Sequence, residues 1–460
     1  MLVDVPGGLG WPCFKHSIMV FGGHLYLQFL AWFAAGRRSR PFVFRPPNNT
    51  RFLIWLAKQL ALPIMLRLVP KIAEVELNEQ DLRRLGELKG ERVILAPNHS
   101  GGREPYILFH LSKMLGGEFN YLTAKEVFDH SFPLGWLLQR LGAYSIIRGT
   151  PDRSSFRMTR QLIVEGKRWL VMFPEGVACG QNDTVIPFQQ GIAQLAFWGY
   201  EDLVKQGELP PLYCLPIAIK YVYLRDMHEE IDRSLRRLER KLFSPSNPKP
   251  LTLFDRLRRV GEAVLSANEK ANNVRPPREA TLNERIQRMK ELIVSRVAGT
   301  LGVSPHPDRS LLDRIRELFN AIDQIVYSEP EGTEYDRQLH SHRQQKVREL
   351  YNDLSKVLNF IALYDGYVRE TLTSERFLDV LGLLELEVFG RGKIWGPRKA
   401  VLRVGNPVNL ANYFQRYQAD KRGTLDEITR LLESSVREML RGLSSLTEPI
   451  EPGLQQPMLN

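Results

Sequence analysis

An α/β fold, with a mostly parallel sheet covered by helices, is what this sequence predicts, and three observations predict it. Short apolar runs recur at 93–96, 121–124, 143–147, 169–173, 213–219 and 400–404, each of strand length. Helical stretches near 106–115, 154–165 and 191–204 separate most of them. Strand and helix in alternation indicate parallel strands with helical crossovers on both faces. The third observation is that polar residues gather just beyond the runs, at His99–Glu104, at Arg148 and at Glu175. Ligands collect at the carboxyl ends of strands in such sheets.

The stretch 93–104 (VILAPNHSGGRE) organises the rest. Val93 to Ala96 read as a buried strand that Pro97 ends. His99 follows in a glycine-rich turn, and Pro105 suits the first position of a helix. An imidazole therefore stands at a strand-to-helix turn with Glu104 five residues on. Glu104 can hold one ring nitrogen and leave the other free to take a proton, which suits a general base. The helix dipole favours an ionised Glu104. Gly101 and Gly102 let the turn fold back so that the two side chains meet. A loop histidine beside an unrelated helix-start glutamate is the plain alternative.

Length and charge bound the rest. A chain of 460 residues is long for one core, so two units or one core with insertions is expected. The formal charge of +11 favours anionic partners such as anionic lipid or phosphate-bearing substrates. Neither paired Cys/His spacing nor an aromatic-basic RNA signature occurs, so nucleic acid is not an expected partner. Cys13, Cys179 and Cys214 are few and far apart, which argues for a reducing compartment and against a disulfide framework or a zinc site. Cys179 reads as a small packing residue rather than a nucleophile.

Before the core, residues 17–36 (SIMVFGGHLYLQFLAWFAAG) are mostly apolar and run into Arg37, Arg38 and Arg40. His24, Gln28 and the paired glycines weaken a membrane span, so a segment lying in the membrane interface is the first reading, a span the second and a core segment the third. Residues 52–69 form a second apolar run that carries Lys58 and Arg67, and Pro63 should kink it. Two such segments with basic flanks suit attachment to an anionic membrane surface, with ordinary core helices as the alternative. Beyond residue 224 charged amphipathic helical patterns dominate. Ile231, Leu235, Leu238 and Leu242 make one apolar stripe, and 282–297, 311–326 and 336–364 are further helical stretches. Loop signals lie at 244–250, 275–277, 304–307 and 329–333. The expected organisation is a membrane-associating segment at 1–74, an α/β core at 75–225, a helical insertion at 226–395, a return to the core at 396–445 and a loose tail at 446–460. A cap packed on the core, a lid, a membrane-surface element and a dock for an acidic carrier protein are the readings of the insertion.

Four ordered clusters resemble the blocks of the glycerolipid acyltransferase family, the lysophosphatidic-acid acyltransferase group in particular. Asn98, His99 and Glu104 match its first block, with glutamate where the family usually has aspartate. Gly142, Ile146 and Arg148 match the second loosely, Phe173, Pro174, Glu175 and Gly176 match the third fully, and Leu215, Pro216 and Ile217 match the fourth. Phe188 and Gly191 follow as Phe-x-x-Gly, and 401–407 (VLRVGNP) resembles the closing strand and turn. The resemblance implies transfer of an acyl group from acyl-CoA or acyl-carrier protein to a hydroxyl of a lysophospholipid such as 1-acylglycerol-3-phosphate. It implies His99 as base and Glu104 as its partner. It further implies Arg148 with Glu175 and Gly176 at the acceptor phosphate, Pro216 on the donor and acyl side, no metal, and no cofactor beyond the thioester substrate. Membrane association on the cytoplasmic face is expected from the two apolar segments and the basic balance. An acceptor alcohol without phosphate, or a non-catalytic lipid-binding protein on this fold, is the alternative reading. No G-x-S-x-G elbow is present to supply an enzyme nucleophile.

Overall fold

The computed structural model describes residues 43–148, 151–178, 180–244, 251–306, 308–327, 347, 349–358 and 372–450. The apolar run at 17–36, Cys13, Cys179 and the tail beyond residue 450 lie outside the described residues. Eight strands form one sheet: β1 (Ile72–Leu77), β2 (Arg92–Pro97), β3 (Phe119–Ala124), β4 (Ala143–Ile146), β5 (Trp169–Val171), β6 (Leu212–Tyr223), β7 (Arg398–Val404) and β8 (Val408–Asn409). Their order is β1-β7-β6-β2-β5-β3-β4, with β8 beside β6. The run from β6 to β4 is parallel throughout, and β7 pairs antiparallel with β6. The α/β expectation with a mostly parallel sheet therefore holds.

Alternation along the strands builds two cores. Ile94 and Ala96 of β2 face the helices Arg153–Glu165, Gly191–Lys205 and Lys421–Gly442, where Ile163, Phe197, Ile428 and Val436 are buried. Val93 and Leu95 face the other way, onto Ile107, Leu108 and Leu111 of the helix Glu104–Met114. Both faces of the sheet are covered, which is why its central strands read as continuous apolar runs. Two strands escaped the sequence reading. β1 carries Glu74 and Glu76, and its place at the sheet edge accounts for them: Glu76 takes ion pairs from Lys399 at 2.6 Å and Arg403 at 3.3 Å on β7. β8 is two residues long, too short for any periodicity.

The apolar run at 52–69 is helical from Arg51 to Leu68, with a π-helical stretch at Ala57–Ala61 just ahead of Pro63. The wider turn absorbs the backbone bond that proline cannot make. One face of this helix is buried at Ile54, Leu62 and Leu66, and Lys58 is turned inward to donate to the Gly117 carbonyl. No helix among the described residues is long and apolar enough to cross a membrane.

Six described helical segments occupy the stretch between β6 and β7: His228–Leu242, Leu253–Ala271, Leu282–Leu301, Leu311–Tyr327, residues 349–358 and Ser374–Phe389. Two apolar clusters hold them. Ile231, Leu235 and Leu238, the stripe read in the sequence, meet Val260, Phe377 and Leu381 in one. Val294, Val297, Ile315, Leu318 and Leu354 form the other.

Candidate active site

β2 ends at Pro97, and Asn98 fastens the chain there. Its side-chain amide donates to the Ile219 carbonyl at 3.0 Å and its oxygen accepts the Ile219 N–H at 2.7 Å, which locks the turn to β6. His99 comes next, its imidazole packed on the Phe173 ring at a centroid distance of 4.3 Å. Gly102 has φ +71°, the left-handed backbone that lets the turn double back. Glu104 then opens its helix fully buried, and its Oε2 lies 2.8 Å from His99 Nδ1. Although glutamate is one methylene longer than aspartate, it meets the imidazole at an ordinary hydrogen-bond distance.

The other oxygen explains how the longer side chain is held. Oε1 of Glu104 accepts from Ser100 Oγ at 3.1 Å, the Gly101 amide at 2.9 Å and the Tyr221 hydroxyl at 2.9 Å. Burial alone would raise this carboxyl, but the bonds from His99 and the backbone amides outweigh it and hold the group at about 2. An ionised carboxylate can only accept, so His99 Nδ1 must carry the proton and donate it. The lone pair then sits on Nε2, and the imidazole is in the tautomer a general base requires.

Glu175, from the Phe-Pro-Glu-Gly turn, supports this arrangement from the other side. Its Oε1 accepts the His99 amide at 2.6 Å and its Oε2 the Ile186 amide at 3.2 Å. Burial pushes its carboxyl up to about 8, with the two amides pulling down and the charge of Glu104 pushing further up. Its backbone carbonyl accepts from Arg316 at 2.9 Å, and Arg316 also donates to the Pro187 carbonyl at 2.7 Å. Arg316 belongs to the inserted helix Leu311–Tyr327, so the insertion is fastened to the turn that steadies His99.

Arg148 stands just beyond β4 and donates to the Gly176 carbonyl at 3.4 Å, which joins the second and third clusters. Its guanidinium is paired with Glu126 and lies 3.9 Å from Asp323 of the same inserted helix. Burial and the nearby Glu126 push the Asp323 carboxyl up to about 8, with Arg148 drawing it back. Pro216 lies elsewhere. It sits inside β6 opposite Ala96, and its carbonyl accepts the Gly405 amide at 2.9 Å. A Cβ at Gly405 would come within 2.7 Å of the proline ring, so the closing Gly-x-Pro turn and the fourth cluster pack on each other.

The structure thus brings His99, Glu104 and Glu175 into direct contact, joins Arg148 to Gly176, and sets Pro216 within the sheet. Sequence reasoning missed Tyr221, Arg316 and Asp323. Tyr221 shares strand parity with Ile217 and Ile219, and Pro97 pairs with Ile217, so the register alone carries Tyr221 over Glu104. Arg316 and Asp323 sit on an amphipathic helix whose docking place no local pattern records. Cys214 is buried, its thiol pushed up to about 12 by burial, which leaves it a packing group. Among the described residues no cluster of three or more His, Cys, Asp or Glu is placed to hold a metal ion.

The family model described as Acyltransferase matches residues 74–220, the span that holds all four clusters and both members of the dyad. No curated protein and no solved structure matches the chain. Residues 74–220 thus carry an acyltransferase domain, which is about a third of the chain.

Proposed function

We propose that the protein moves a fatty acyl group from acyl-CoA or acyl-carrier protein to a hydroxyl of a lysophospholipid such as 1-acylglycerol-3-phosphate. The observation that carries this reading is the His99–Glu104 dyad at 2.8 Å, with Glu104 buried and every one of its contacts a donor. Nε2 of His99 takes the proton of the acceptor hydroxyl as its oxygen attacks the thioester carbonyl. Glu104 stabilises the imidazolium that forms. Collapse of the tetrahedral intermediate breaks the carbon–sulfur bond, and the thiolate recovers the proton from His99. The acceptor itself is the nucleophile, so no acyl-enzyme is required.

Attachment to an anionic membrane surface on the cytoplasmic side accompanies the reading, since both substrates carry acyl chains. Phe52, Trp55, Leu60, Ile64 and Leu68 form an exposed apolar stripe along the helical run Arg51–Leu68, each more than half exposed. Phe132 and Trp136 of the helix Phe132–Arg140 are exposed as well, and the Thr50 amide donates to the Arg140 carbonyl at 3.0 Å, which joins the two helices. Such a surface suits shallow insertion, with Arg51, Arg67 and Arg140 near lipid phosphates.

One observation favours a second reading, an acceptor alcohol without phosphate: Arg148 already has carboxylate partners. The deciding experiment offers labelled acyl-CoA and acyl-carrier protein with a panel of phosphorylated and unphosphorylated lyso-lipids and identifies the product. A lysophospholipid product that disappears with His99→Ala is expected. Absence of product from every pair, or undiminished transfer by His99→Ala, would overturn the proposal.

A further inference from the structure

A cavity of about 110 Å³ opens beside the dyad, beginning at Ser100 and Gly101, the two residues that follow His99. Its lining is unusual in its charge. Arg103, Lys393 and Arg398 are set against a single carboxylate, Asp379, whose Oδ2 accepts the Asn182 amide at 2.9 Å. Arg103 is 8% exposed, and its buried Nε has no hydrogen-bond partner. Arg398 donates to the Pro70 carbonyl at 2.6 Å and lies 4.6 Å over the Tyr221 ring, while its Nε is left unpaired. Trp395, also on the lining, keeps a buried indole N–H without a partner.

Buried N–H groups are nearly always satisfied, and a buried cation without a counter-ion costs still more. Here three residues with orphaned donors share one cavity, and two of them are guanidiniums that repel each other. Burial and the charge of Arg398 pull Arg103 down to about 10, against the opposing charge of Glu104 beside it. Such an arrangement favours an acceptor-rich anion, and planar guanidinium forks match the oxygens of a phosphate.

We infer that Arg103 and Arg398, with Lys393 at the rim, form a phosphate-binding subsite that holds the phosphate of a substrate against the His99–Glu104 dyad. The link to the dyad runs through Tyr221: Arg398 stacks on Tyr221, Tyr221 bonds Glu104, and Glu104 bonds His99. This rests on the acyl-transfer reading and adds to it a site outside the four sequence clusters. Two molecules of that reaction carry phosphate, the acceptor and coenzyme A, and the chemistry of the subsite is the same for either.

Equilibrium binding to the full-length protein separates the cases without turnover. The probes are inorganic phosphate, glycerol 3-phosphate and coenzyme A, with glycerol and pantetheine as phosphate-free counterparts, read by titration calorimetry and by thermal stabilisation. Wild type should bind a phosphate-bearing probe at least about tenfold tighter than its counterpart. Arg103→Met and Arg398→Met should each weaken that binding about tenfold to a hundredfold, and Arg103→Lys should restore part of it. Discrimination confined to glycerol 3-phosphate assigns the acceptor, and discrimination confined to coenzyme A assigns the donor. Should Arg103→Met fail to fold, Arg398→Met decides alone. Equal binding with and without phosphate in wild type, or wild-type affinity in the folded Met variants, overturns the inference. A protein that shows the pattern yet transfers no acyl group would remove the proposed reaction and leave the subsite standing. An active protein whose Met variants keep both substrate KM values and all affinities would remove the subsite alone.

Discussion

Replacing Glu104 by glutamine tests the dyad most sharply, because the hydrogen-bond pattern dictates how the amide must lie. Oε1 accepts three donors, from Ser100, Gly101 and Tyr221, whereas Oε2 accepts one, from His99. An amide nitrogen at the Oε1 position would face three donors and leave them unpaired, at about 1–3 kcal/mol each. The amide oxygen therefore stays at Oε1 and the NH₂ turns to His99. That conflict is relieved when the imidazole moves its proton from Nδ1 to Nε2. Nε2 then has no lone pair for the acceptor hydroxyl, and the base is lost with its geometry intact. An acid-to-amide change of this kind in a serine protease triad costs about 10⁴ in turnover, or about 5 kcal/mol in the barrier. Glu104→Gln should show a loss of that order in kcat, measured by thiol release at saturating substrates, with donor affinity unchanged. A second readout is pH. The carboxyl is depressed from 4.5 to about 2, so its contribution to stability is present above 4.5 and is lost as pH falls through 2. Wild type should lose roughly 3 kcal/mol over that window on this account, and the glutamine variant should not show this loss. Turnover of Glu104→Gln within tenfold of wild type would refute the tautomer argument.

Other outcomes follow from the same contacts. Glu104→Asp should fall between wild type and the glutamine variant, because the shorter acid cannot keep all three Oε1 donors and still reach His99; wild-type kinetics would count against the three-donor anchor. Arg148→Ala should raise the acceptor KM more than the donor KM, by about tenfold or more, from a charge-assisted contact of about 1.5–3 kcal/mol. Equal effects on both substrates would mean that Arg148 serves only to hold Glu126 and the inserted helix. Glu175 is raised from 4.5 to about 8, so its contribution to stability is full below 4.5 and is lost as pH rises through 8. Urea midpoints at pH 5 and pH 8 should show this decline in wild type and a flatter profile in Glu175→Gln; identical slopes would reject the assignment. Changing Phe52, Trp55 and Ile64 to serine together should reduce sedimentation with anionic liposomes by tenfold or more, since each exposed apolar side chain contributes about 1.5–3 kcal/mol when buried; unchanged sedimentation would sever this stripe from membrane binding.

Local chemistry made a good part of this protein legible from its sequence. The apolar run from Val93, the proline that ends it, the glycine pair and the helix start at Glu104 are all short-range features, and their spacing was enough to place His99 beside Glu104. Continuous apolar runs marked the buried strands because both sheet faces are covered, and the helices Arg153–Glu165 and Gly191–Lys205 were legible as the helical stretches between them. The edge strand β1 was hidden by Glu74 and Glu76, whose place in a sheet makes sense only beside Lys399 and Arg403, more than 300 residues away. Tyr221 reached Glu104 through strand register, which depends on pairing between β2 and β6 and not on any neighbour in the chain. Arg316 and Asp323 reached Glu175 and Arg148 through the docking of an inserted helix. The cationic cavity of Arg103 and Arg398 joins a residue after β2 to one at the start of β7. A pattern along the chain reports which face of an element is apolar. Which charges two distant elements bring together is decided by packing, because the stabilisation comes from contacts that exist only once the sheet is assembled.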